Sequence, residues 1–109
     1  MVGPVIRIAD NLHGLDPRVS RALAHRDPAP LAPLVRDLVA AGAERLDLNP
    51  GHLPDKRADT MAFFVDAVQA ETDLPLVLDS PRTAVLREGL RRCRQPPILD
   101  ALTAEPHRL

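Results

Sequence analysis

The stretch "LVLDSPRTA", residues 76–84, decides the fold. Leu76, Val77 and Leu78 form a short apolar run of the kind a buried strand presents, yet the run stops on Asp79, Ser80 and Pro81. The period then changes. Ser80 stands where a helix cap belongs, Pro81 at the first helical position, and Val85, Leu86 and Leu90 make the expected apolar stripe of a helix through "SPRTAVLREGLRRC". A buried strand that ends on a carboxylate and turns straight into a helix is one half of a βαβ unit.

The same grammar recurs on either side. Upstream, Leu46 and Leu48 alternate with Asp47 and Asn49 in "AERLDLNPG" before Pro50 and Gly51 force a turn, and a helix follows with Met61, Phe64, Val65 and Val68 on one face. Before that strand, Leu31, Leu34, Val35, Leu38 and Val39 fall at helical spacing, with Gly42 placed as a C-terminal cap. The first segment, "PVIRIAD", reads as a strand and "DNLHGLDP" as a polar loop. A short helix then begins, with Asp16 as its cap, Pro17 in its first turn and Val19, Ala22 and Leu23 on its buried side. Downstream, Ile98 and Leu99 make one more strand, again ending on a carboxylate, Asp100. Strands alternating with helices of this length imply a parallel sheet of about four strands with the helices outside.

In parallel α/β folds the C-terminal strand ends open onto the face where ligands bind. Asp10, Asp47, Asn49, Asp79 and Asp100 fall at or just past those ends. Ionised carboxylates only accept hydrogen bonds, so a cluster of them suits a ligand rich in amino and ring N–H groups. Each residue has a plainer use as well, since Asp and Asn after a strand also cap helices and close Asx-turns.

Composition excludes several other classes. The chain has 109 residues, enough for one domain with a modest core. Its formal net charge is −1, with two Phe and no Trp or Tyr, which offers neither a basic footprint nor a stacking platform for nucleic acid. No stretch approaches the roughly twenty apolar residues of a membrane span, and "MVGPVIRIAD" lacks the pattern of a signal peptide. The single Cys93 forms no internal disulfide and is expected as a packed apolar side chain, which points to the reducing cytoplasm. His13, His25, His52 and His107 share no metal-ligand spacing, so no metal site is expected. Arg91, Arg92 and Arg94 suit the negative end of a helix.

At these residues the sequence resembles a known family. "IADNLHGLDPRVSRAL", "RDPAPLAPLVRDLVAAGAERLDLNPG", "DLPLVLDSP" and "PILDALTAE" look like the opening segments of the pterin-binding methyltransferases. The likeness is closest to the methyltetrahydrofolate:corrinoid/iron–sulfur protein methyltransferases, and dihydropteroate synthase and the folate module of cobalamin-dependent methionine synthase are more distant. It implies the N-terminal half of a (β/α)8 TIM barrel, a partial pterin-binding domain over residues 1–109, where a whole barrel has about 250 residues.

The resemblance also implies a site. Asp79 matches an Asp at the end of the third strand that contacts the pterin, and Asp47 and Asn49 match a "DxN" at the end of the second. Two positions depart from the pattern. The segment Asp10, Asn11, Leu12, His13, Gly14 stands where relatives read Glu-Arg-Ile-Asn-Gly, and Asp100 and Ala101 stand where they read Asn-Ser.

The activity so implied is methyl transfer from methyltetrahydrofolate, or a related pterin, to the cobalamin of a corrinoid partner protein. The alternative is a non-catalytic half-barrel, truncated or split, that binds pterin, joins a complementary C-terminal half, or forms a homodimer.

Overall fold

The computed structural model describes residues 6–101. The expectations for Pro4 and Val5, and for the "TAEPHRL" tail with His107, lie outside them. The elements run β1 (Ile8–His13), α1 (Pro17–His25), α2 (Leu31–Ala40), β2 (Arg45–Asn49), α3 (Asp59–Gln69), β3 (Leu76–Asp79), α4 (Thr83–Arg92) and β4 (Ile98–Asp100), with a single 3-10 turn at Asp55–Arg57 before α3.

All neighbouring strands are parallel, and their order in the sheet is their order in the chain, β1-β2-β3-β4. Leu46 and Leu48 of β2 and Leu76 and Leu78 of β3 share one buried cluster with Val19 of α1, Val35 of α2, Phe64 and Val65 of α3 and Val85 of α4. The helices therefore cover one face of the sheet. A sheet wound in one direction with helices on one face is an α/β fold consistent with half of a (β/α)8 barrel; a doubly wound sheet would reverse its strand order and cover both faces. Among the described residues no helix is long and apolar enough to cross a membrane.

Local chemistry explains the boundaries. Asp16 caps α1, its carboxylate accepting the Arg18 N–H at 2.8 Å, with Pro17 in the first turn as expected. After α2, Gly42 takes φ +98, and the Gly42 and Ala43 amides donate back to Val39 and Leu38, which closes the helix in a Schellman motif. Val39, expected on the buried stripe, faces outward instead.

Two expectations need correcting. Helix α4 starts at Thr83, not at Pro81, because the Ser80 hydroxyl accepts the Arg82 N–H in a local turn that precedes the helix. Leu90, expected on the buried stripe, faces outward, and Val85 and Gly89 lie on the buried side. Strand β1 covers Ile8–His13, displaced from the expected span, because the fully buried Leu12 pairs with Leu48. Three residue steps in β1, from Ala9 to Leu12, match two in β2, from Leu46 to Leu48, so β1 carries a one-residue bulge at Asp10–Asn11.

Candidate functional site

Side chains alternate across a strand, so the residues between the buried leucines all belong to the open face. Arg45, Asp47 and Asn49 of β2, Val77 and Asp79 of β3, and Ile98 and Asp100 of β4 are its members. Register sorts them into rows. Asp47 aligns with Val77, and Val77 with Ile98; two residues on, Asp79 aligns with Asp100. His13 aligns with Asn49 at the ends of β1 and β2. The rim of the face is thus His13, Asn49, Asp79 and Asp100, and Asp47 sits one row deeper, level with two apolar side chains.

This depth gives Asp47 its character. Its Oδ1 is buried and has no hydrogen-bond partner. Loss of water, then the charge of Asp79, a hydrogen bond shared with Asp79, and the charges of Asp100 and Asp10 push its carboxyl from 3.8 up to about 7. Asp47 therefore holds its proton to higher pH than an ordinary Asp and shares a hydrogen bond with Asp79, which is itself buried. The face offers a carboxylic acid beside carboxylates, a donor among acceptors.

Four of the five expected site residues, Asp47, Asn49, Asp79 and Asp100, stand at the C-terminal halves of adjacent strands on one face. Asp10 is a correction of position. The bulge puts it inside β1, exposed, and His13 occupies the strand end; Asp10 still lies close enough to Asp47 to raise its carboxyl. For Asn49 the plainer use is also realised, because its Oδ1 accepts the Gly51 N–H at 2.9 Å in an Asx-turn, which leaves its amide N–H groups as donors. At the rim the Ser80 N–H donates to the Asp100 carbonyl at 3.1 Å, tying β3 to β4 just past the carboxylates.

The arginines resolve as structural groups. Arg94 donates to the carbonyls of Gln69 and Thr72 at the end of α3, Arg92 pairs with Asp66, and Arg91 pairs with Glu88. Cys93 packs partly buried against the core, and loss of water raises its thiol above the ordinary range. Sequence reasoning missed a cleft just past the ends of β1 and β2, walled in part by His52 and Arg57; both residues lie in the β2–α3 connection, whose path no periodicity reveals.

Fold and site together define a parallel α/β unit with a proton-sharing carboxyl cluster at the C-terminal strand ends. No family model matches the chain. A curated protein of Eubacterium limosum, a methylcorrinoid:tetrahydrofolate methyltransferase, is 26% identical over 105 residues, covering 96% of this chain and 39% of that protein. The match supports the family resemblance at low identity, and the chain spans about two fifths of its relative's length.

Proposed function

We propose that this chain is part of a pterin-binding domain of the methyltransferase type, and that its carboxyl mouth holds the pterin ring of tetrahydrofolate or methyltetrahydrofolate. The observation that carries the reading is the Asp47–Asp79 pair. A reduced pterin presents an amino group and a ring N–H beside acceptor atoms, and a carboxylate next to a carboxylic acid offers the complementary set. Asp79 accepts from the ring edge, Asp47 donates or accepts with its proton, and Asn49 and Asp100 close the rim.

The reaction is methyl exchange between the N5 of the folate and a corrinoid. The cobalamin is carried by a partner protein and supplies a cobalt centre able to take up or give the methyl group. The name of the Eubacterium limosum relative writes the transfer from the corrinoid to tetrahydrofolate, opposite to the direction implied by the sequence resemblance. Residues that stabilise one direction stabilise the other, so the mouth serves both. Its part is to hold the ring and to exchange a proton with the nitrogen as its charge changes.

A second reading rests on the β4 edge, where Ile98 and Leu99 are 46% and 47% exposed. In that reading the chain is a binding module whose sheet is continued by a complementary polypeptide or a second copy.

Calorimetric titration with methyltetrahydrofolate tests the first reading. Saturable binding is expected in the parent and a loss of about 10- to 100-fold in Asp79→Ala, the scale of a hydrogen bond to a charged group. Asp79→Asn, which keeps the side-chain volume, guards against a folding defect. A folded parent chain that evolves no heat of binding would sink the proposal.

A further inference from the structure

The carboxyl mouth has a consequence for any ligand that also carries an acid. Asp10, Asp79 and Asp100 are near enough to one another's neighbour Asp47 to perturb it, so the open face repels an anion. Tetrahydrofolate joins an N–H-rich ring to a tail that ends in carboxylates. If the ring lies in the mouth, the tail must leave it, and the place it reaches should be cationic and free of carboxylates.

One cleft has those properties. Gly14, just past β1, and Pro50, just past β2, form its inner wall, at the same end of the sheet as the mouth; Ser20 of α1, Thr60 of α3, and His52 and Arg57 complete the polar lining. The two strand ends are in contact because residue 14 has no side chain. The Gly14 N–H donates to the Asn49 carbonyl at 2.8 Å, and a Cβ at Gly14 would meet the Pro50 carbonyl oxygen at 2.7 Å. The inner wall of the cleft is therefore joined directly to Asn49, a residue of the rim.

No carboxylate lines this cleft. Other clefts differ in that respect: one sets Asp66 among Arg91, Arg92 and Arg94, another is walled by Asp55, Asp59 and Glu88, and a third includes Asp73 beside Arg94. Among the described residues Arg57 takes part in no ion pair, whereas the neighbouring Arg26 is held by Asp59 and Arg82 by Asp55. Thr60 is fully buried beneath the cleft, and its hydroxyl accepts from Arg26 at 3.2 Å. The volume, about 140 Å³, is smaller than the roughly 300 Å³ at which pockets begin to hold a whole drug-sized ligand, and suits a terminal acid group.

We propose that this cleft is a second binding point, in which Arg57, His52 and the Ser20 hydroxyl receive the carboxylate tail of a folate whose ring occupies the mouth. The proposal rests on the pterin reading above. Its chemistry, a fork of N–H donors on an oxyanion, would equally serve a free phosphate, and the test separates the two.

The full chain and Arg57→Ala are titrated by calorimetry with methyltetrahydrofolate, with a tetrahydropterin that lacks the tail, and with inorganic phosphate. Arg57 is exposed, and far-UV circular dichroism verifies that the variant folds. The expected result is about a tenfold loss of folate affinity in Arg57→Ala, one charge-assisted pair, with affinity for the tail-less pterin unchanged. His52→Ala should shift the same ligand in the same direction. An unchanged folate affinity overturns the proposal, and so does an equal loss for the tail-less pterin, which would mean that the mouth itself was disturbed. Phosphate binding that depends on Arg57 while folate binding does not would assign the cleft to a free phosphate and overturn the tail assignment. If neither pterin binds the parent chain, the pterin reading falls and the tail assignment falls with it; Arg57-dependent phosphate binding then separates a general oxyanion cleft from no site at all.

Discussion

Replacing Asp47 by asparagine isolates the proton held at the mouth. In the folded chain its carboxyl is pushed from 3.8 to about 7, by loss of water first and by Asp79 second. On unfolding it returns to the ordinary value near 4. Between about pH 4 and pH 7 the folded state therefore binds more proton than the unfolded one, so the stabilisation tied to this group is complete below about pH 4 and is lost as pH rises through about 7. Three pH units at about 1.4 kcal/mol each set a ceiling of about 4 kcal/mol. Water reaching the part-buried side chain brings the expected swing down to about 1–2 kcal/mol. An amide has no such proton to lose, so Asp47→Asn should match the parent near pH 4.5 and exceed it by about 1–2 kcal/mol at pH 8. Urea unfolding followed by far-UV circular dichroism measures this, since the chain has no Trp or Tyr to report by fluorescence. Parallel pH slopes for parent and variant would refute the reasoning.

Two further changes probe the scaffold. Gly89→Ala puts a Cβ 2.6 Å from the Met61 Cγ and 2.8 Å from the Leu78 Cδ1, so despite the higher helix propensity of alanine it should cost about 1 kcal/mol or more; a urea midpoint at or above the parent's would contradict that packing. Arg94→Ala removes donors from the Gln69 and Thr72 carbonyls at 2.7 and 3.1 Å and should lower stability by about 1 kcal/mol while leaving methyltetrahydrofolate affinity as it was; a weaker affinity with an unchanged midpoint would reverse the assignment of this arginine from scaffold to site.

The parts of the fold legible in the sequence are those where one period dominates. Leu46 and Leu48 bracket Asp47 with strict alternation, and Met61, Phe64, Val65 and Val68 repeat at helical spacing, so β2 and α3 lie where they were expected. Strand β1 was misplaced because its bulge breaks the alternation at Asp10–Asn11, and only the pairing of Leu12 with Leu48 reveals that the chain is still extended there. The start of α4 was misjudged because a Ser-Pro pair suits both a helix cap and a turn, and the Ser80–Arg82 bond decides for the turn. For the site, the residue types and the strand ends were readable, but the depth of Asp47 was not. Depth depends on its register with Val77 and Ile98, which is a property of three strands together.

That register also shows how the molecule separates stability from chemistry. Leu46, Leu48, Leu76 and Leu78 point into the helical layer, where Phe64, Met61 and Val65 complete a core that owes nothing to the opposite face. With the core secured on one side, the other can carry groups that packing alone would reject: a buried carboxyl oxygen without a partner, and like charges on adjacent strands. A hydrophobic residue at position 47 would match Val77 and Ile98 in its row and relieve the repulsion, at the loss of the mouth's protonated donor. The sheet holds Asp47 part-buried beside Asp79, and loss of water together with that neighbouring charge keeps its proton bound to higher pH than an ordinary Asp. A carboxyl so raised stands beside carboxylates as a donor among acceptors, a group on this face able both to give and to take a proton near neutral pH.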